Sequence, residues 1–228
     1  MRFVGQSIPV ALLFAALICL AIGPIGASAA EKMPVDILAD KIQGIYDGAR
    51  DLKAGFTQEA TIKSLKKTEK ETGTVYFKKP RRMLWDYTSP QKKKLIINPK
   101  TAWLYVPEDR LVYMQDAATL VNSKLTIRFL TGIGKLKDDF NVKYAAEPVD
   151  SDGNYRLELI PKTREAGAGF ERLSVMVDKD TFLITRCVFN DMYGNTTRIT
   201  FRNIKLNNGL ADSMFNFTPP AGVTVQKI

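Results

Sequence analysis

The sequence predicts a mainly β domain that folds as a sandwich or a barrel and carries only a few helices. Short apolar segments with period-two alternation recur at intervals of roughly ten residues. Turn signals separate them, among them Ser89-Pro90, Asn98-Pro99 and Pro107-Glu108-Asp109. We count about eleven strands against two or three helices. So many strands with so few helices are typical of a sheet that closes on itself or packs on a second sheet.

Residues 1–30 have the pattern of a cleaved signal peptide. Arg2 precedes an apolar run from residue 10 to residue 22, and small residues follow at 27–30. The alternative is a permanent N-terminal anchor, but the run is shorter than the about 20 residues needed to span a bilayer. We therefore expect an exported protein in which residues 31–228 form a single domain.

The residue inventory excludes several classes of site. The chain has no histidine, two cysteines and 33 Lys+Arg against 24 Asp+Glu. No His-dependent triad, His-ligated metal or all-cysteine zinc site can be built, and we expect no cofactor and no metal. Cys19 follows Ile18 inside the apolar run, so it does not resemble a lipidation site. Cys187 lies in strand-like sequence, which is typical of a buried structural residue.

The first element after the leader is a helix. Val35, Leu38, Ile42 and Ile45 recur at steps of three, four and three, and Pro34 suits the first turn. Strands are then predicted at 56–62, 74–77, 83–87, 95–97, 102–106, 111–114, 140–144, 155–160, 173–177, 182–189 and 197–206. A second helix is predicted at 123–133, and a short strand-like piece at 214–217 closes the series.

Several local patterns occur in the order and spacing of one known family. They are Phe56-Thr57-Gln58, Gly73-Thr74-Val75-Tyr76-Phe77-Lys78-Lys79-Pro80, Met83-Leu84-Trp85-Asp86-Tyr87, Trp103-Leu104-Tyr105-Val106-Pro107-Glu108 and Phe215-Asn216-Phe217-Thr218-Pro219-Pro220-Ala221-Gly222-Val223-Thr224-Val225. Together with the signal peptide pattern they resemble the periplasmic outer-membrane lipoprotein carrier family, LolA, over residues 31–228. The resemblance implies an unclosed antiparallel β-barrel in which helices form a lid over an apolar cavity.

The resemblance also implies a function. A family member is a periplasmic chaperone that shelters the acyl chains of lipoproteins, takes them from an inner-membrane ABC-type release complex and delivers them to an outer-membrane acceptor. The acceptor is itself a lipoprotein, so the absence of a lipidation site at Cys19 favours the soluble carrier, which we expect to be a monomer. Two alternatives stay open, a carrier of another lipid (a glycolipid or a terpenoid) and a regulatory module in an envelope-stress pathway. Regulatory modules of this kind usually have a further domain, for which this chain has no room.

Candidate lipid-binding residues follow from the implied cavity and lid. The cavity candidates are Phe77, Met83, Trp85 and Trp103, and the lid candidates are Leu125, Ile127, Phe129 and Leu130. Met83 and Trp85 share one strand face because they are two residues apart. The alternative for every one of these side chains is ordinary core packing.

A departure from the family concerns how the lid is held. The residue before the proline of the strand–turn block is typically an arginine that hydrogen-bonds towards the lid, but here it is Lys79. A lysine keeps the charge and loses the planar fork of donors. Arg81 and Arg82 are the other candidates for the latch.

The remaining polar signals are less specific. Two basic clusters, Lys78–Arg82 and Lys92–Lys94, fit either a solvated strand edge or docking to acidic proteins or anionic headgroups. Nucleic acid is not expected, because the protein is exported and no nucleic-acid module occurs. Ser64 and Ser89 each begin a Ser-x-x-Lys match, but both lie in turns without partner motifs, so we do not expect an enzyme.

Overall fold

The computed structural model describes residues 33–119, 135–163 and 170–228. Within these ranges one long helix, α1 (Val35–Gly48), precedes the sheet, and a helical turn, α2 (Leu136–Asp139), lies within the chain. Residues 117–119 are also helical. A 3-10 turn spans Asp212–Phe215. The strands are β1 (Asp51–Ile62), β2 (Lys67–Lys78), β3 (Arg82–Ser89), β4 (Lys93–Ile97), β5 (Thr101–Val106), β6 (Leu111–Asp116), β7 (Phe140–Val149), β8 (Tyr155–Pro161), β9 (Phe170–Val177), β10 (Ile184–Asp191), β11 (Thr196–Leu206) and β12 (Thr224–Lys227).

These strands form one sheet that does not close. Its order is β12-β6-β5-β4-β3-β2-β1-β11-β10-β9-β8-β7, so β7 and β12 stand at the two ends. Two antiparallel meanders, β1–β6 and β7–β11, join where β1 pairs with β11. The last strand departs from this pattern, because β12 lies parallel to β6. The predicted class, a mainly β unclosed barrel with few helices, is confirmed.

The sheet wraps around α1, and we call the face that meets this helix the inner face. The predicted apolar stripe forms the contact, with Leu38, Ala39, Ile42 and Tyr46 buried. We expected Ile45 in this stripe, but the helix turns Tyr46 towards the sheet instead. Both halves of the sheet share the same core, which joins residues of β1–β5 to residues of β8–β11.

The opposite, outer face carries a second core. Leu84 of β3 and Ile96 of β4 pack there against Phe215, whose side chain is fully buried. The C-terminal segment 207–228 therefore leaves β11, crosses the outer face and adds β12 to the edge of β6. The strand-like piece predicted at 214–217 is wrong: it contains the end of a 3-10 turn, which aims Phe215 into this core.

A second difference concerns β2, which begins at Lys67 rather than at residue 74. The charged stretch that suggested a turn continues the strand, with Thr68 opposite Thr61 and Lys70 opposite Glu59. The hydroxyl oxygens of Thr61 and Thr68 lie 2.9 Å apart. Both faces of this part of the strand are polar, so the sequence lacks the alternation by which a strand is detected.

Candidate functional site

Three of the four cavity candidates lie on the inner face of the sheet and form what we call the inner wall. Phe77, Met83 and Trp85 are buried in the core that includes the helix. The Trp85 ring stands edge-on to Phe77 at 6.1 Å and to Phe56 at 4.7 Å between ring centroids. The indole N–H of Trp85 donates to the Met83 sulfur over 2.9 Å. An aromatic and thioether wall of this kind is apolar and adaptable, which suits flexible hydrocarbon chains.

Trp103 does not share that wall. It lies opposite Ile96 in the β4–β5 pairing, and Ile96 lies opposite Leu84, so all three face outwards. The Trp103 ring packs against Phe217 of the C-terminal segment, with 6.1 Å between centroids. The structure thus places Trp103 in the outer core, because its strand register sets its face and the C-terminal segment covers it.

Helix α1 is attached to the sheet by polar contacts around its apolar stripe. The Gln43 side-chain oxygen accepts the backbone N–H of Leu136 over 2.7 Å. The Tyr46 hydroxyl accepts the backbone N–H of Ile184 over 3.1 Å, and burial raises the pKa of this phenol, so it stays neutral. Lys137 of α2 forms an ion pair with Asp40. These few directional contacts fix how the helix lies on the sheet.

The C-terminal end of α1 is held by Lys79. Its ammonium group donates to the backbone carbonyls of Tyr46, at 2.8 Å, and Asp47, at 2.9 Å. These are carbonyls of the last helical turn, where the helix dipole favours a cation. The Lys79 backbone N–H also donates to the Arg50 carbonyl over 3.0 Å. The first of the three latch candidates therefore contacts the helix directly.

The other two latch candidates are placed differently. Arg82 forms an ion pair with Asp212 at 3.1 Å and donates to the Pro80 carbonyl. Arg81 is exposed in the β2–β3 turn, with a φ of 53°. Arg82 thus points towards the C-terminal segment, and Lys79 is the candidate with a contact to α1.

Two small clefts lie beside α1 among the described residues. One cleft of about 20 Å³ lies beside Tyr46, Phe77 and Lys79. A second, of about 10 Å³, lies between Tyr46, Phe77 and Phe201. Each holds about one water molecule. Neither of these two clefts has room for an acyl chain unless side chains or the helix itself move aside.

Most members of the two basic clusters have partners within the molecule. Lys78 and Arg82 both pair with Asp212. Lys93 pairs with Glu71, and Lys94 lies 3.7 Å from Asp86. These ion pairs weaken the interpretation of the clusters as docking surfaces, because much of their charge is neutralised locally.

Sequence reasoning missed a buried carboxylate that secures the C-terminal segment. Asp51 is only 5% exposed and accepts the backbone N–H groups of Asn208 (2.6 Å), Gly209 (2.9 Å) and Leu210 (3.1 Å). Burial raises the pKa of this carboxyl, but these hydrogen bonds outweigh it and hold the pKa below its ordinary value. No local signal marks this role, because the donors lie more than 150 residues away along the chain.

Cys187 is buried on the inner face, where burial raises the pKa of its thiol to about 12, as suits a structural residue. In 33–119, 135–163 and 170–228, no three His, Cys, Asp or Glu side chains gather as a metal site, and no helix is long and apolar enough to cross a membrane. The helix predicted at 123–133, with its lid candidates Leu125, Ile127, Phe129 and Leu130, and the predicted leader 1–30 lie outside the described residues.

Comparisons with known proteins agree with this architecture. The family model described as outer membrane lipoprotein carrier protein LolA matches residues 47–218. The outer-membrane lipoprotein carrier protein of Methylococcus capsulatus is 29% identical over 199 residues, which cover 87% of this chain and 90% of the relative. The protein of the same name from Dechloromonas aromatica is 26% identical over 82% of this chain and 86% of its own length. The matched range includes Lys79 and the inner wall.

A solved structure supports the fold alone. It is described as an uncharacterized conserved protein from Thermus thermophilus and is 14% identical in sequence. The two structures superpose with a TM-score of 0.55 over 85% of this chain and 98% of the other.

Proposed function

We propose that this chain, which belongs to the LolA family of outer membrane lipoprotein carrier proteins, carries lipoproteins by sheltering their acyl chains beneath α1. The observation that supports this most directly is the arrangement of the helix. Its apolar stripe shares one buried core with the aromatic wall, and a few polar contacts at its margins hold the helix there. Such a helix can be displaced as a unit while the sheet beneath it keeps its own hydrogen bonds.

The free-energy cost of lifting α1 is comparable with the free energy gained when an acyl chain is buried in its place. Lifting α1 would uncover Leu38, Ile42 and Tyr46, which costs roughly 5 to 9 kcal/mol at about 1.5 to 3 kcal/mol for each side chain. Burying one acyl chain of about 15 methylenes yields about 12 kcal/mol at about 0.8 kcal/mol each. A bound chain can therefore replace the helix against the wall, and its departure lets the helix return.

Lys79 acts as the latch of the closed form in this proposal. Its ammonium group holds two carbonyls at the end of α1, where an arginine in the family would offer a planar fork. A latch made by one nitrogen is adaptable, because each of its bonds can form or break without the other. The other candidates, Arg81 and Arg82, belong to the turn and to the contact with the C-terminal segment.

We extend the proposal to the route of the cargo. The carrier is a periplasmic monomer exported by its signal peptide. It receives lipoproteins from an inner-membrane ABC-type release complex and passes them to an outer-membrane acceptor. The names of the curated relatives favour lipoproteins over a glycolipid or a terpenoid. The carrier is not catalytic in this proposal, since the exchange makes and breaks no covalent bond.

A release assay tests the proposal. Purified protein is added to spheroplasts that hold an outer-membrane lipoprotein and an active release complex, and the supernatant is analysed for a soluble one-to-one complex. Trp85→Ala changes the inner wall, and Trp103→Ala changes the same residue type on the outer face. We expect the first to lose release and the second to keep it, provided that both variants melt as folded proteins.

Two results would contradict the proposal. One is a lipoprotein that stays on the membrane although its release complex is active, after which mass spectrometry of the bound material would identify the true ligand. The other is equal loss of release in Trp85→Ala and Trp103→Ala at equal stability, which would remove the inner wall as the binding surface.

A further inference from the structure

Two hairpin tips lie side by side at the end of the sheet opposite Lys79. They are the β1–β2 tip, residues 63–66, and the β10–β11 tip, residues 191–195, and together we call them the twin tip. The backbone N–H of Lys63 donates to the side-chain oxygen of Asn195 over 3.0 Å. The Lys63 side chain also crosses the second turn, since a Cβ added to Gly194 would lie 3.0 Å from Lys63 Cδ. The two tips therefore form one surface.

The twin tip presents large apolar side chains to solvent. Leu65 is 67% exposed, Met192 is 74% exposed and Tyr193 is 78% exposed. These are three of the four most exposed large hydrophobic side chains within the described ranges. The second turn is well defined, because the Asp191 carboxylate accepts the backbone N–H groups of Tyr193 and Asn195, each over 2.9 Å. The structure thus holds Met192 and Tyr193 outwards on a rigid support.

Basic residues surround these apolar side chains. The segment 63–70 contains four lysines and one glutamate. Glu69 pairs with Lys67 at 2.8 Å, and the carboxylate of Asp191 accepts hydrogen bonds within its own turn. Lys63 and Lys66 are exposed beside Leu65. Exposed leucine, methionine and tyrosine with lysines around them are the composition of surfaces that lie in the headgroup region of a membrane.

We propose that the twin tip is a docking surface for anionic phospholipid. The β1–β2 hairpin projects past β3, because the last β2–β3 pair is Thr72 with Ser89 and the strand continues outwards to Lys67. Leu65, Met192 and Tyr193 enter the interface, and Lys63 and Lys66 meet the phosphates. Three apolar side chains and a few lysines give reversible attachment rather than a permanent anchor.

The position of the twin tip separates docking from the latch. β1 has 12 residues and spans up to roughly 40 Å at about 3.3 Å per residue, with the tip at one end and the Lys79 turn at the other. Docking at the tip therefore leaves the contacts of α1 undisturbed. Binding to lipid needs no cargo, so its test is independent of the proposed carrier function.

Vesicle binding tests this proposal. The purified protein is sedimented with vesicles of phosphatidylcholine alone and of phosphatidylcholine mixed with phosphatidylglycerol. We expect binding to the mixed vesicles that is at least about tenfold tighter than to the neutral ones and that weakens with salt. The triple variant Leu65→Ser, Met192→Ser, Tyr193→Ser and the double variant Lys63→Gln, Lys66→Gln should each lose about tenfold.

Matched controls keep the test specific. Ile228→Ser removes an apolar side chain of similar exposure, and Lys100→Gln removes a lysine from the β4–β5 turn, so both should bind like the unchanged protein. All substituted side chains are exposed, so the melting temperatures should agree. The proposal is overturned if the unchanged protein does not bind the mixed vesicles, or if the tip variants bind them equally well. If the unchanged protein does not bind vesicles but the tip variants lose lipoprotein release, the twin tip would be assigned to a protein partner instead.

Discussion

Removal of the Lys79 ammonium should loosen α1 without unfolding the sheet. Lys79→Met keeps most of the side-chain length but deletes both hydrogen bonds to the carbonyls of Tyr46 and Asp47. The sheet keeps its own hydrogen bonds, and Leu38 and Ile42 stay buried in the shared core. The closed position of the helix therefore becomes less favourable, whereas the free energy of global unfolding changes little.

The size of the effect follows from the two contacts. A hydrogen bond from a charged group contributes about 1.5 kcal/mol at the low end of its range, and a cation at a helix C-terminus adds about 0.3 to 1 kcal/mol. One of the two bonds is exposed to solvent, which reduces its share. We expect the closed form to lose about 1 to 2 kcal/mol, which is about a 5- to 30-fold increase in the open population.

Hydrogen exchange measures this opening directly. The amides of α1 should exchange about 5- to 30-fold faster in Lys79→Met, while those of β1 and β11 keep their rates. Lys79→Arg should restore slow exchange, and Lys53→Met is the matched control, because Lys53 lies over the Tyr76 ring, away from the helix. If acyl cargo binds the open form, its apparent affinity rises by the same factor. Unchanged exchange of α1, or equal acceleration of the whole sheet, would refute the latch.

Three further perturbations can be predicted from the packing. Asp51→Asn should destabilise the fold by about 1 to 3 kcal/mol at neutral pH, as measured by denaturant unfolding. Because the folded pKa of Asp51 lies below its ordinary 3.8, its contribution is present above that value and fades as the pH falls through the folded pKa, so variant and parent should converge in acid. Phe215→Ala should cost about 3 to 5 kcal/mol in the same assay, because a fully buried ring leaves a cavity. Gly73→Ala should lower the melting temperature, since a Cβ would overlap the Asp86 carbonyl and lie 2.8 Å from the Phe56 ring; an unchanged melting curve would show that the strand shifts freely.

Local patterns were sufficient for much of the fold. Alternation of apolar residues located eleven strands, and the stripe of Leu38 and Ile42 located the helix and its buried face. The same patterns failed where polar residues occupy both faces, as in the outer half of β2, and where a short apolar piece is not a strand, as around Phe215. A local pattern reports only whether a segment has an apolar face. It therefore misses a strand whose faces are both polar, and it does not identify the residues against which an apolar face will pack.

The sequence by itself determined most of the element types, the mainly β class and the family, because these depend on spacing and order along the chain. Only the tertiary structure decided that Trp85 faces the helix while Trp103 faces outwards, that Lys79 meets the end of α1, and that Asp51 binds a segment far along the chain. Each of these depends on strand register and on contacts between distant residues. Alternation gives a strand two faces, and only the packing of the whole sheet determines which of them lies inside.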